Sequence, residues 1–277
     1  MLYALVGLIA VFYLLPLVVM LITSFRSYEE IRMGQLLAWP QSWSLQGWTQ
    51  AWSEAQIGAR TEKGLQPYFI NSFQIVIPAV AVSCVMGAIN GYILSFWRFK
   101  YSELFFAALL FGCFLPFQSI LLPMSLTLGW FNLSGTLISL ICVHVIYGLP
   151  FTTLFFRNFY VALPSEPVKA AKIEGAGFWQ IFVRIILPQS TPMIVVSITW
   201  QFTMIWNDFL FGVVFSDPDS QPITVGLNNL VNVADGGVKR YNIEMAGALI
   251  AAIPTLLVYI FSGKYFVKAF VNGSMKG

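Results

Sequence analysis

Residues 2–23 contain no charged side chain and no amide side chain. At 1.5 Å of rise per helical residue, the run is long enough to cross roughly 30 Å of hydrocarbon. Five more apolar runs follow, at about residues 69–96, 104–126, 133–155, 192–215 and 246–270. Lipid offers backbone N–H and C=O groups no partner, so uninterrupted runs of this length have to satisfy them internally, as helices. The composition agrees. Only 10% of the 277 residues are charged and 58% are hydrophobic, whereas a soluble domain carries roughly 25% charged residues. With a mean hydropathy of +0.75, the chain reads as an all-α integral membrane protein, with six transmembrane helices in a single domain over residues 1–277.

The first run has no basic stretch before it and no small-residue cleavage site after it, which favours a retained helix over a signal peptide. Cys84, Cys113 and Cys142 all fall inside apolar runs without metal-ligand spacing, and read as small hydrophobes. The net charge of +3 is too small to suggest a nucleic-acid partner. Pro16, Pro78, Pro116, Pro150 and Pro254 lie inside five of the runs, so kinked but continuous helices are expected.

Basic residues set the orientation. With the amino terminus in the cytoplasm, the inner segments carry Arg98, Lys100, Arg157, Lys169, Lys172, Arg184, Lys264, Lys268 and Lys276. The outer segments then carry Arg26, Arg32, Arg60, Lys63, Lys239 and Arg240. The bias favours cytoplasmic amino and carboxyl termini, with outer loops at residues 24–68 and 216–242, a large cytoplasmic loop at 156–191 and a tail at 271–277. The first outer loop holds Trp39, Trp43, Trp48 and Trp52, the mark of an interfacial helix at headgroup level; aromatic faces for sugars are the competing reading. The second is polar and rich in turn formers, with no clear element. It reads either as a tether or as a surface for an extracytoplasmic partner.

Polar side chains within the runs are costly and tend to face a bundle interior or a wet cavity. They are Asn71, Gln74, Asn90, Gln118, His144, Gln201, Asn207 and Asp208. Gln118 and the sequence Trp206-Asn207-Asp208 suit a substrate path, with an indole to stack and oxygens for hydroxyl groups; helix packing is the alternative for Asn207 and Asp208. His144 reads as a packed core histidine, because no second histidine or carboxylate stands near it in sequence. Gly87 and Gly91-Tyr92 offer a small face for close helix approach. No nucleophile elbow, phosphate-cradling glycine loop or metal-spaced histidine and carboxylate pair occurs, so the chain carries no catalytic or metal-binding motif.

The cytoplasmic loop concentrates charge between two apolar runs. Ser165 suits an N-cap, Glu166 and Pro167 suit a first turn, and Gly175 a stop, giving a short helix from Glu166 to about Glu174. Ala170 and Ala171 give it a face almost free of side chains. After Gly177 a second helix places Phe178, Ile181, Phe182, Ile185 and Ile186 on one side, with Gln180 and Arg184 on the other, and leads through Pro188 into the fifth run. These features fit a docking handle for another protein or an amphipathic loop lying on the membrane.

Glu166, Ala170-Ala171, Ile173, Glu174-Gly175-Ala176 and Ile186-Leu187-Pro188 together resemble the EAA loop of binding-protein-dependent ABC importer permeases, of the sugar type that includes the second maltose permease. Asn71-Ser72, Gly91-Tyr92, Arg98-Phe99, Pro116, Gln118, Pro123, Trp206-Asn207-Asp208-Phe209, Thr224, Gly226-Leu227 and the ending 272–277 extend the likeness over most of the chain. The resemblance implies a type I importer permease fold in a bacterial or archaeal cytoplasmic (inner) membrane. It implies four kinds of partner: a second related permease, two ATP-binding subunits, an extracytoplasmic sugar-binding protein and membrane lipid. ATP and magnesium would be bound by the partner subunits, with no cofactor in this chain. Glu166, Lys169, Ala170, Ala171, Glu174, Gly175 and Ala176 would dock in a cleft of the ATPase; the tail could reach the same subunits, and residues 216–242 would meet the binding protein. Lys169, Pro167 and Glu174 depart from the usual Glu, Leu and Asp of this loop. In the maltose system the resolved sugar contacts belong to the partner permease.

Overall fold

A computed structural model describes residues 2–33, 38–58, 64–232 and 239–274, with side chains described up to residue 263 and excepting Asn232. Arg60, Glu62, Lys63, Asp235 and the end of the tail, 275–277, lie outside the described residues.

Every named element is helical. In order they are α1 (Leu2–Ser24), α2 (Tyr28–Arg32), α3 (Gln46–Thr49, continued by a π turn over Gln50–Glu54), α4 (Gln66–Phe96), α5 (Ser102–Phe114), α6 (Phe117–Trp130) and α7 (Leu137–Val161). The loop helices α8 (Glu166–Ile173), α9 (Phe178–Ile181, continued by a π turn over Phe182–Ile186) and α10 (Leu187–Gln189) follow, then α11 (Thr191–Trp206), α12 (Leu210–Phe215), α13 (Ile223–Asn232) and α14 (Tyr241–Ser274).

Four helices are long and apolar enough to cross a membrane by themselves: α1, α4, α7 and the first part of α14. Two further pairs of helical segments are long and apolar enough only when taken together across a sharp bend. α5 and α6 meet at 105°, and the segment Phe178–Gln189 meets α11 at 78°. Six spans are thus reached only if each bent pair counts as one. The third run is therefore not the kinked continuous helix expected from its sequence. Leu115 and Pro116 are both extended, with ψ of 124° and 125°, because the proline ring disfavours helical angles in the residue before it. Pro16, Pro78, Pro150 and Pro254 stay inside continuous helices.

Contacts divide the chain into two compact units, residues 1–72 with 217–254 and residues 73–216 with 255–277. In the first unit, Arg26 and Glu30 form a buried pair 3.7 Å apart. Glu30 also accepts bonds from the Gln41 and Ser42 amides. Trp39 and Trp43 are exposed, while Trp52 packs edge-on against Phe69. The second outer loop is not devoid of structure as expected: its residues 223–232 form α13, which buries Ile223, Val225 and Leu230. The Asn71 amide donates to the carbonyls of Asp219 and Gln221, and Ser72 Oγ accepts the Ile223 N–H, so this helix start is tied to the beginning of α4.

In the second unit α7 is the common neighbour of α5, α6, α11 and α12. Leu140, His144, Gly148, Thr152, Phe156 and Tyr160 recur every fourth residue and are all buried, the row that lets one helix ridge seat between others. The small face expected on α4 meets this row. A Cβ on Gly87 would lie 2.5 Å from Thr152 Oγ1, and one on Gly91 2.7 Å from the Arg157 backbone nitrogen. At that approach Thr152 Oγ1 reaches the Ser83 carbonyl at 3.0 Å, a polar tie of the kind that holds helices together in lipid.

Candidate functional site

Two places collect the residues singled out by sequence. One is the loop between α7 and α11. Pro167 stands in the first turn of α8, where a missing amide costs nothing. Ser165 is not the expected side-chain cap: its backbone is helical (φ −83°, ψ −14°) and its hydroxyl makes no capping bond, whereas a capping side chain needs an extended backbone to reach back. The other end is closed as expected. Gly175 has φ +82°, its N–H bonds the Lys172 carbonyl at 3.1 Å, and Ala176 N–H bonds the Ala171 carbonyl at 2.9 Å. This pair of bonds around a left-handed glycine is the Schellman ending.

α8 is held on one side only. Val168 and Ala171 are buried in an apolar cluster with Tyr92, Phe156, Tyr160, Ile181, Phe182 and Ile186. Glu166, Lys169, Ala170, Lys172, Ile173, Glu174 and Gly175 are exposed, and Ala176 is half-buried. The alanine pair therefore splits, Ala170 outward and Ala171 inward. Ile173 is 87% exposed, a large apolar side chain left bare beside the turn. The second loop helix presents its expected faces: Ile181, Phe182 and Ile186 are buried, Gln180 and Arg184 exposed. Its route into α11 turns at Ser190, whose buried hydroxyl bonds the Ile186 carbonyl (2.7 Å) and the Tyr160 hydroxyl (3.0 Å).

The other place is the interruption between α11 and α12. Asn207 ends α11, its N–H bonded to the Thr203 carbonyl. Asp208 then accepts the N–H groups of Phe211 (3.4 Å) and Gly212 (3.1 Å), so its carboxylate serves the unpaired amides that open α12. The fifth run is thus two helices with Asp208 at the joint. His144 has no carboxylate near it in sequence, but the fold sets its Nε2 3.9 Å from Asp208 Oδ2. The Gln201 amide donates to the His144 carbonyl at 3.2 Å and reaches Ser83 Oγ at 3.4 Å.

A pocket of about 440 Å³ opens beside this joint, with Asn207, Asp208, Gln201 and Thr203 among its polar walls and Phe117, Tyr147, Phe151, Trp200 and Phe211 among its rings. Two expected path residues are elsewhere. Trp206 is 1% exposed, stacked on Phe202 at 5.6 Å and edge-on to Phe73 at 4.9 Å. Gln118 is exposed on α6 outside the pocket lining. Among the described residues, no group of three or more His, Cys, Asp or Glu side chains could hold a metal ion.

Residues 79–273 match the family described as binding-protein-dependent transport system inner membrane component. The chain belongs to this family. It is therefore a non-catalytic permease and a multi-pass protein of the inner membrane. Similar proteins include a probable ABC transporter permease protein of Pyrococcus horikoshii, 45% identical over 181 residues, a match that spans 65% of each chain. The xylose/arabinose import permease protein XacI of Haloferax volcanii is 31% identical over 291 residues, covering 96% of this chain and 90% of the relative. A bacterial ABC transporter involved in the import of the acidic polysaccharide alginate shares the fold with a TM-score of 0.82 over 95% of this chain and 94% of that one, at 18% identity.

In this permease the rings of the pocket escaped the sequence reading, although a signal existed. Tyr147, Phe151 and Phe155 repeat at four-residue spacing on α7, and Trp200 on α11 meets Phe151 and Phe155 at 6.2 and 5.8 Å. Aromatic stripes at that spacing are common in any buried helix, so only the fold separates a pocket wall from a packed core.

Proposed function

We propose that this permease is a sugar-type subunit of an ATP-driven importer, forming half of a translocation path with a second, related permease. Residues 166–176 would dock in a cleft of one of two ATP-hydrolysing subunits, which would bind the ATP and magnesium. The observation that carries this reading is the one-sided seating of α8, which leaves Glu166, Lys169, Ala170, Ile173, Glu174 and Gly175 bare beside a glycine turn. The nearly side-chain-free surface at Ala170 and Gly175 lets another protein approach the backbone closely, and the flanking charges of Lys169 and Glu174 would fix its register. The match of these residues to the EAA loop of the sugar-type permeases supports the same assignment, with both termini cytoplasmic. Residues 271–277 would approach the ATPases, and residues 216–242 would meet an extracytoplasmic sugar-binding protein. Lys169, where the EAA loop that this segment resembles usually has Glu, calls for an acidic partner on this transporter's own ATPase.

A sugar cargo is supported by the likeness to XacI, a xylose/arabinose import permease, and by a pocket that combines aromatic faces with the oxygens of Asn207 and Asp208. Those two are the path residues of this reading; Trp206 is packed in the core and Gln118 lies outside the pocket lining. Replacing Gly175 by Asp should abolish uptake while leaving membrane insertion intact. A cysteine at the exposed Ala170 should cross-link to a co-expressed ATPase subunit; free labelling of that thiol in the assembled complex would count against docking. Competition by non-sugar solutes in uptake assays separates a sugar importer from one for another cargo.

The pairing of His144 with Asp208 is the observation that a stand-alone, ion-coupled transporter would need. Asp208 is already engaged by the amides of α12, which favours a structural use of that carboxylate. Uptake by the Asp208→Asn variant with unchanged dependence on the ion gradient would remove the ion-coupled reading.

A further inference from the structure

In sequence Lys172 is only one of several loop charges, yet its ammonium group has two partners at the carboxyl end of α4. Lys172 Nζ donates to the Phe96 carbonyl at 3.0 Å, one of the last carbonyls of that helix, which have no partner within it. It also lies 4.0 Å from the centroid of the Trp97 ring, within reach of a cation–π contact. A cation at a helix carboxyl end is favoured by the helix dipole as well.

The same indole continues the chain of contacts. Trp97 Nε1–H donates to the Tyr92 hydroxyl at 2.6 Å, and that hydroxyl donates to the Phe178 carbonyl at 3.3 Å. Tyr92 is fully buried, with the rings of Phe178 and Phe182 at 4.9 and 5.2 Å. Both sides of the Gly175 turn are thus fastened to one end of one helix: α8 by Lys172, and α9 by its first residue. The covalent route from the loop into α11, in contrast, passes a π turn and a 78° bend.

We propose that Lys172 is a positioning residue that clips α8 to the end of α4, so that a displacement of the docking loop is delivered to the second span directly and not only through the fifth. The clip itself is a property of the folded chain; its use in transport rests on the importer reading above.

Hydrogen exchange on the purified permease in nanodiscs tests the clip. Lys172→Met should speed exchange about fivefold or more both in residues 166–176 and at the last turn of α4, residues 93–97, whereas Lys172→Arg should leave both slow. Tyr92→Phe should loosen residues 177–182 while α8 stays protected. Unchanged exchange in Lys172→Met, or a change confined to α8, overturns the proposal. In proteoliposomes holding the complete transporter, Lys172→Met should lower radiolabelled pentose uptake per ATP hydrolysed, and Lys172→Arg should restore it; a parallel fall of uptake and hydrolysis overturns the transmission role. If the wild-type assembly hydrolyses no ATP, the importer reading fails, and the exchange measurement still decides the clip.

Discussion

His144 Nε2 stands 3.9 Å from Asp208 Oδ2, joining the middle of α7 to the gap between α11 and α12. The separation is too long for a hydrogen bond, whereas the carboxylate accepts bonds from the amides of Phe211 and Gly212. Asp208 is therefore first a helix-opening cap and only second a neighbour of histidine.

Removing the cap should be felt as stability. Asp208→Ala is expected to cost about 1 kcal/mol, the usual loss for a capping side chain, while Asp208→Asn, which keeps an oxygen acceptor, should lose less. Thermal unfolding in detergent distinguishes the two. Equal losses would point to a charge interaction with His144 instead.

Gly148 is required by Gln201. A Cβ at residue 148 would sit 1.9 Å from Gln201 Nε2, so Gly148→Ala must expel the amide from its bonds to the His144 carbonyl and Ser83. We expect a loss of about 1–3 kcal/mol, the cost of stranding buried polar groups. The double variant with Gln201→Ala should recover part of it, and a double-mutant cycle of unfolding midpoints reads the coupling.

Trp206→Ala should act through abundance. The indole is buried between Phe73 and Phe202, and truncating such a residue costs about 3–5 kcal/mol. Immunoblots of membranes should show less protein, and uptake per molecule inserted should fall far less than total uptake. Normal abundance with lost uptake would restore Trp206 to the substrate path.

Acid should loosen the first unit at Glu30. Burial pushes this carboxyl up, but the Gln41 and Ser42 amides, the Ser42 hydroxyl and the Arg26 charge outweigh it and hold it below its ordinary value. A folded value lowered relative to the unfolded chain gives stability that is full above the ordinary carboxylate range and is lost as pH falls through the lowered value. Protection factors of the backbone at residues 26–33 and 38–42, which divide out the intrinsic slowing of exchange in acid, should therefore fall between neutral and acidic pH in the wild type. In Glu30→Gln that pH-dependent loss should shrink, with protection already lower at neutral pH.

Much of the architecture was legible without coordinates because lipid leaves few options. Apolar runs long enough to cross hydrocarbon must be helices, and the glycine at residue 175 must turn a chain that no other residue turns as readily. Glycines at 87 and 91 likewise announced a close helix contact. Where two local rules competed, sequence was insufficient. Pro16, Pro78, Pro150 and Pro254 are carried through continuous helices, but the helix breaks at Pro116; the same residue type gives both outcomes according to what its neighbours can satisfy. In residues 216–242 the turn formers masked the apolar spacing of Ile223, Leu227 and Leu230, and with it α13.

The sequence by itself determined that this chain is helical, membrane-spanning and without a catalytic motif, and it located the loop on which the family resemblance rests. Only tertiary structure decided that Ala171 faces inward while Ala170 faces out, that Trp206 is core and Trp200 pocket wall, and that His144 meets Asp208 and Lys172 meets Trp97. Those outcomes depend on contacts between residues far apart in the chain. Helical periodicity can place a side chain on a face, but it carries no information about which other helix that face will meet.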